Sequence, residues 1–258
     1  MDKKELQKFS NMLYEAEKQR KQMSQLTSMN GELSVDDAYQ IQLNNIVRVV
    51  EEGQVVSGKK IGLTSEGIQK QLGVDEPDYG HLFASMDCRD GKIPTDALIQ
   101  PKIEAELAFV LKEDLAGGKV TTDDVKRATD YVIGAFEIVD SRILDWKIKL
   151  VDTISDNASS GRYVLGGVKI SPEEDLSKIT MKMYKNGDFL IDGEGAAVLG
   201  DPLRSVAWLA NRLWNYGVVL KKGEVVLSGA FSAAPEAVKG DLFTAEFSKL
   251  GTVTAKFI

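Results

Sequence analysis

The chain reads as an α+β protein: a helical N-terminal section over residues 1–55, then a β-rich body over 56–258, the two forming one continuous unit. Three observations predict this. Apolar residues at helical spacing dominate the opening fifty or so positions, period-two alternation marks 101–112 and 131–140, and no regular βαβ alternation points to a doubly wound sheet. The elements follow in order. Leu6, Phe9, Leu13 and Ala16 make a first helical stripe, and Asn30-Gly31 interrupts it. Ser34 with Asp37 forms a capping box for a second helix, whose apolar face is predicted to be Tyr39, Leu43, Ile46, Val47 and Val50 and which stops at Gly53. Thr121 and Asp124 cap a short helix ahead of the strand YVIGAFEIVD. TMKMYKNGDFLI reads as a hairpin, because Asn186-Gly187 suits a type I′ turn. Asp201-Pro202 opens another helix, with Val206, Leu209 and Leu213 inside it and Gly217 at its end, since proline is well tolerated at the first helical position. The tail supplies at least three more short strands, with turns at Gly223, Gly240 and Gly251.

Composition prunes the function classes. At 258 residues and 43% hydrophobic content the chain can bury a sizeable core. A net charge of −7, with scattered Lys and Arg, argues against a nucleic-acid partner. No apolar run approaches the roughly 20 residues needed to span a bilayer, so no membrane partner is expected. Cys88 stands alone, which rules out an intrachain disulfide and fits a reducing compartment. MDKKELQKFS lacks the apolar core of a signal peptide, and a cytoplasmic location is the expectation. The single histidine, His81, has neither a G-x-S-x-G elbow nor a cysteine-nucleophile signature to serve. Gly193-Glu194-Gly195 is followed by Val198 where a dinucleotide fingerprint needs its third glycine. Acid–base chemistry therefore falls to Asp, Glu, Lys and water.

The run PKIEAELAFVL concentrates the chemistry. Ile103, Ala105, Leu107 and Phe109 take one face of a strand, and Glu104, Glu106 and Ala108 the other. Residues two apart share a strand face, which sets the two carboxylates roughly 6–7 Å apart at Cα. Charges that close repel, and each raises the other's pKa unless a cation intervenes. Glu137, between Phe136 and Ile138, is too closely flanked by apolar residues to be freely solvated, and buried carboxylates are paired, hydrogen-bonded or metal-bound. Two readings stay open here: a solvated outer face for Glu104 and Glu106, or a site for a hard octahedral cation such as Mg²⁺ or Mn²⁺. Zinc fits poorly in a chain with one Cys and one His. On their own, Lys60 in GKKIGLTS reads as a surface lysine and Asp78 in EPDYG as a turn residue.

KIGLTSEGIQKQLGVDEPDYGHLF, QPKIEAELAFVL, FEIVDSRILDWKIKLVDTISDNASSGRYVLGG and GEVVLSG closely resemble the 2-keto-4-pentenoate hydratase family, within the fumarylacetoacetate hydrolase-like superfamily, from about residue 35 onward. The resemblance implies a mixed, rolled β-sheet body and a divalent cation, Mg²⁺ or Mn²⁺, on Glu104, Glu106 and Glu137. It implies that Lys60 faces the metal and holds charge on the enolate oxygen of a 2-oxo acid. Hydratases of the family typically read Q-P-D-F-G where this chain has Asp78, whereas the related 4-oxalocrotonate decarboxylases carry an apolar residue there. Asp78 thus points to water addition to a 2-hydroxy-2,4-dienoate, giving a 4-hydroxy-2-oxo acid in the breakdown of aromatic ring-cleavage products. The resemblance also brings Ser160 into contact with substrate, leaves His81 a pocket-shaping neighbour, and implies a homo-oligomer. Ser159-Ser160 and AFSAAPEAV are closer to the decarboxylase branch and DWKIKLVDT to the hydratase branch, so decarboxylation of 4-oxalocrotonate is the alternative activity.

Overall fold

The computed structural model describes every residue except 66, 68, 71–73 and 75; the part of KIGLTSEGIQKQLGVDEPDYGHLF that covers these positions lies outside the described residues. Helices α1 (Lys3–Gln19), α2 (Leu26–Met29) and α3 (Val35–Glu51) precede the first strand. Ser34 and Asp37 form the expected capping box at α3. Its buried face differs from the predicted stripe. Ala38, Tyr39, Ile41, Gln42 and Ile46 are buried, whereas Val47 and Val50 are 56% and 44% exposed. The reason is that α3 is held from two sides. Ile41 packs with Phe9 and Leu13 of α1, while Ala38 and Tyr39 join the core of the body, which rotates the covered stripe away from the two valines. Among the described residues no helix is long and apolar enough to cross a membrane.

The body is built on two mixed sheets. One has the strand order β2-β1-β9-β4-β5-β6 and the other β3-β11-β10-β7-β8. In the first, β1 (Val56–Gly62) and β9 (Val225–Ala230) run parallel, and β2 (Asp78–Phe83), β4 (Pro101–Leu111), β5 (Thr129–Asp140) and β6 (Ser160–Ile170) complete it through antiparallel pairs. The second contains β3 (Lys92–Ile93), β7 (Thr180–Lys185), β8 (Asp188–Glu194), β10 (Leu242–Phe247) and β11 (Gly251–Phe257). The hairpin turn between β7 and β8 is as expected, with Asn186 and Gly187 both at positive φ, as a type I′ turn requires. Thr121 and Asp124 cap α4 (Thr122–Ala128), and Asp201 caps α6 (Pro202–Trp214).

Ile103, Ala105, Leu107 and Phe109 of β4 share one apolar cluster with Val206, Leu209 and Leu213 of α6 and with Phe243, Phe247 and Val253 of the second sheet. Each of these side chains larger than alanine contributes about 1.5–3 kcal/mol when fully buried. The opposite face of β4 is covered too. Ala108 packs with Ile133, Ala135 and Leu227, and Glu106 has no exposed surface. The solvated-face reading of the glutamate pair fails for that reason: the alternation separates two interiors, one apolar and one that carries charge.

Candidate active site

Strand register brings the charged residues together. Glu104 pairs directly with Glu137 across β4 and β5, and Glu106 lies two residues along on the same face. Lys60 of β1 is opposite Gly80 of β2, and Gly62 is opposite Asp78. Lys60 therefore lies buried within a strand rather than on the surface, and Asp78 is the first residue of β2 rather than a turn residue. Lys60 Nζ lies 3.3 Å from Glu137 Oε1. A flat sheet would hold these two backbones, three strand spacings apart, at about 14 Å. The ion pair closes because the sheet curls toward this face, which is the rolled geometry the resemblance implies.

Burial is nearly complete. Glu106 and Glu137 have no exposed surface, Asp78 and Lys60 are 2% and 3% exposed, and Glu104 is half-buried. One carboxylate oxygen from each of Glu104, Glu106 and Glu137 lies within 4.8 Å of the other two. Glu106 Oε2 accepts the backbone N–H of Gly229 at 2.9 Å, while Glu106 Oε1 and both oxygens of Glu137 lack a hydrogen-bond partner among the described residues. Gly229 is required at that position. Its φ is +111°, and a Cβ there would lie 2.3 Å from Thr64 Oγ1.

The electrostatics follow from this crowding. Burial, then Glu104 and Asp78, push the Glu137 carboxyl up to about 8 against the pull of Lys60. Burial, then Glu137 and Glu104, hold Glu106 well above the usual carboxylate range. Burial also raises Glu104 and Asp78, with Lys60 opposing in each case. Burial would lower Lys60, but the surrounding carboxylates outweigh it and keep the ammonium charged. Four carboxylates facing one ammonium leave the site short of positive charge. Oxygen donors only, several of them orphaned, suit a hard cation such as Mg²⁺; the one Cys and one His of the chain lie outside the cluster.

Irregular backbone completes the wall of the site. Asn157, Ala158 and Ser159, between α5 (Leu150–Ser155) and β6, all have positive φ. Such residues cost roughly 1–2 kcal/mol each, and a buried knot holds them in place. Arg142 pairs with Asp156 through Nε, donates to the Asp156 carbonyl, and donates through Nη1 to the Ser160 carbonyl at 3.0 Å. The Asn157 side chain accepts from the His81 N–H at 2.7 Å and donates to the His81 carbonyl at 2.9 Å. Ser160 Oγ donates to the Asn157 carbonyl and lies 2.6 Å from where a Cβ of Gly80 would be, which puts it over the strand row that faces Lys60. His81 is buried beside Lys59 on the other face of that strand, with its imidazole pKa well below the usual value through burial and then Lys59. A cavity of about 380 Å³ between α1, α3 and the ends of β2 and β6 reaches Asn157 and Ser160 but none of the carboxylates of the cluster.

Sequence reasoning named Glu104, Glu106, Glu137, Lys60, Asp78 and Ser160, and the structure brings all six to one region. It missed Gly229, whose Ser-Gly within a strand was the available signal. It also missed Arg142, Asp156 and Asn157, for which no local signal exists.

Comparison with known proteins places the chain. Residues 86–258 match the family model described as fumarylacetoacetate (FAA) hydrolase C-terminal. The chain is 47% identical to 2-keto-4-pentenoate hydratase of Paraburkholderia xenovorans (strain LB400), over 95% of this chain and 92% of that protein. It is 44% identical to 2-hydroxyhexa-2,4-dienoate hydratase of Comamonas testosteroni, over 99% of this chain and 98% of that protein. Among solved structures, 4-oxalocrotonate decarboxylase from Pseudomonas putida G7, complexed with magnesium and adipate, superposes with a TM-score of 0.96 at 36% identity, covering 100% of this chain and 99% of that one. The same decarboxylase is also known complexed with calcium and acetate, with a TM-score of 0.94. The chain belongs to the 2-keto-4-pentenoate hydratase and 4-oxalocrotonate decarboxylase family of the fumarylacetoacetate hydrolase superfamily, and is a lyase.

Proposed function

We propose that the protein is a metal-dependent hydratase that converts a 2-hydroxy-2,4-dienoate into a 4-hydroxy-2-oxo acid. The single observation that carries this reading is Asp78: a carboxylate 2% exposed, on the strand paired with that of Lys60, whose Oδ1 has no side-chain hydrogen bond among the described residues. Water addition needs a group that takes a proton from water, and loss of CO₂ does not. Glu104, Glu106 and Glu137 would hold Mg²⁺ or Mn²⁺. The bound cation would supply Lewis-acid polarisation of the substrate's C2 oxygen.

The dienol first ketonises, giving a 2-oxo acid with a C3=C4 double bond. Asp78 then accepts a proton from water as the water oxygen bonds to C4, and the π pair moves to the C2 oxygen. The Lys60 ammonium stabilises that enolate, which collapses as C3 takes a proton. In this reading Ser160, over the strand row that faces Lys60, contacts substrate, and His81, on the opposite face, takes no part. Self-association and a cytoplasmic location belong to the same reading, and light scattering that returned a 28.3 kDa particle at micromolar concentration would count against the first.

The second reading, decarboxylation of 4-oxalocrotonate, draws on the close superposition with the decarboxylase. Product analysis with purified protein and Mg²⁺ separates the two. Formation of the 4-hydroxy-2-oxo acid from the dienol supports the hydratase. Release of CO₂ from 4-oxalocrotonate without hydration of the dienol overturns it.

A further inference from the structure

The run KLVDT contains a buried hydroxyl that the reading above does not use. Thr153, in α5, is 3% exposed, and its Oγ1 donates to Asp78 Oδ2 at 3.0 Å, which leaves Oδ1 as the oxygen with no side-chain partner among the described residues. The geometry around this pair is tied down at several points. Gln42 of α3 donates through Nε2 to the Tyr79 carbonyl at 2.9 Å and to the Ile154 carbonyl at 2.8 Å. It thereby stitches the residue after Asp78 to the residue after Thr153. Asn157 makes the next stitch, to both backbone groups of His81. At the head of α5, Asp152 accepts from the N–H and the hydroxyl of Thr27, which anchors the helix to α2. A Cβ at Gly62 would lie 2.4 Å from Asp78 Oδ1 and 3.2 Å from Lys60 Nζ. Glycine there lets the free oxygen and the ammonium come together over the backbone of β1.

We propose that Thr153 is a positioning residue for the water-addition step: it holds Asp78 Oδ2 so that Oδ1 alone is presented to water beside Lys60. The proposal rests on the role assigned to Asp78 and adds to it the group that aims the carboxylate. A carboxylate that can rotate presents either oxygen at a range of angles; one pinned at Oδ2 presents Oδ1 in one orientation. Misplacing a proton acceptor by about 1 Å costs on the order of 10²-fold in rate. Ketonisation of the dienol does not need an acceptor aimed at C4, so the two steps respond differently to loss of the hydroxyl.

The test resolves both steps, with loss of the dienol read by absorbance and the 4-hydroxy-2-oxo acid by chromatography. Thr153→Val keeps the shape and removes the donor, and its hydration should fall about 10²-fold, while ketonisation and Mg²⁺ affinity stay within a few-fold of the parent. Thr153→Ser restores the donor and should recover most of the hydration. In an Asp78→Asn background, Thr153→Val should cause no further loss, because residues acting through one another are non-additive. Normal hydration by Thr153→Val overturns the proposal, and so does an equal loss of both steps or an additive double variant. Failure of the Asp78 role is seen separately, as normal hydration by Asp78→Asn; Thr153 then has nothing to aim and the proposal falls with it.

Discussion

Two of the buried ion pairs among the described residues, Arg142–Asp156 and Lys60–Glu137, have the same ingredients and opposite conditions. Arg142 and Asp156 are 4% and 2% exposed, and their polar atoms are used up: Asp156 Oδ2 accepts from Ser141 Oγ at 3.1 Å and from the Arg142 N–H at 3.0 Å, while the guanidinium reaches two carbonyls besides the carboxylate. Lys60 and Glu137 are just as buried, yet among the described residues neither oxygen of Glu137 has a hydrogen bond, and the neighbouring Glu106 has one orphaned oxygen. The first pair is closed, and it holds a left-handed stretch of backbone in place. The second is open, with acceptor capacity and negative charge left over. Burial alone does not separate the two pairs; unused hydrogen-bonding capacity does, and it marks the second as the candidate functional pair.

The largest effect should come from breaking the closed pair. Arg142→Met leaves Asp156 buried without its partner, and such losses cost about 3–5 kcal/mol. Urea denaturation should show the drop, and a variant as stable as the parent would remove the distinction. The open pair should behave the other way. Glu137→Gln relieves repulsion, so the metal-free protein should be as stable as the parent or more so, while Mg²⁺ affinity by calorimetry falls at least about 10²-fold. A metal-free variant that is clearly less stable would mean that Glu137 is structural after all.

The pairs should also separate in pH. Both carboxyls sit above the ordinary range in the folded state, Glu137 at about 8 and Asp156 at about 6, through burial in each case. A raised carboxyl pKa means that the folded state binds protons more tightly than the unfolded one. Its contribution is therefore present below the unfolded value and is lost as pH rises through the folded value. The loss should span pH 4 to 6 for Asp156 and continue to 8 for Glu137. Saturating Mg²⁺ competes with protons on the glutamates alone, so the melting-temperature gain from Mg²⁺ should grow between pH 6 and 8. A gain independent of pH over that window would count against a metal on these residues. The smallest effect is expected inside the closed knot. Ser141→Ala removes one donor to Asp156 and the acceptor of the Ile143 N–H but leaves the pair, and should cost about 1–2 kcal/mol with Mg²⁺ affinity unchanged.

Much of this was legible locally, for reasons of chemistry. Ser34 with Asp37, Thr121 with Asp124, Asp201-Pro202 and Asn186-Gly187 act over a few residues, and each forms where its pattern predicts. The E-x-E strand put Glu104 and Glu106 on one face because a period of two allows nothing else. The exposed Val47 and Val50 show where local reading ends, since which stripe of α3 is covered depends on two partners the helix cannot encode by itself.

The sequence by itself determined the fold class, the helical opening, the strands that carry charge and, through resemblance, the identity of the candidate site. Tertiary structure alone decided that both faces of β4 are buried, that the sheet curls far enough for Lys60 to reach Glu137, and that Thr153, Asn157, Arg142 and Asp156 belong to the same region as Asp78. The physical reason is range. Caps, turns and strand periodicity are written within a few residues, but the Thr153–Asp78 bond joins positions 75 apart, and Gly229 meets Glu106 across 123. Such pairs acquire their meaning only when burial removes water and makes each unpaired oxygen costly.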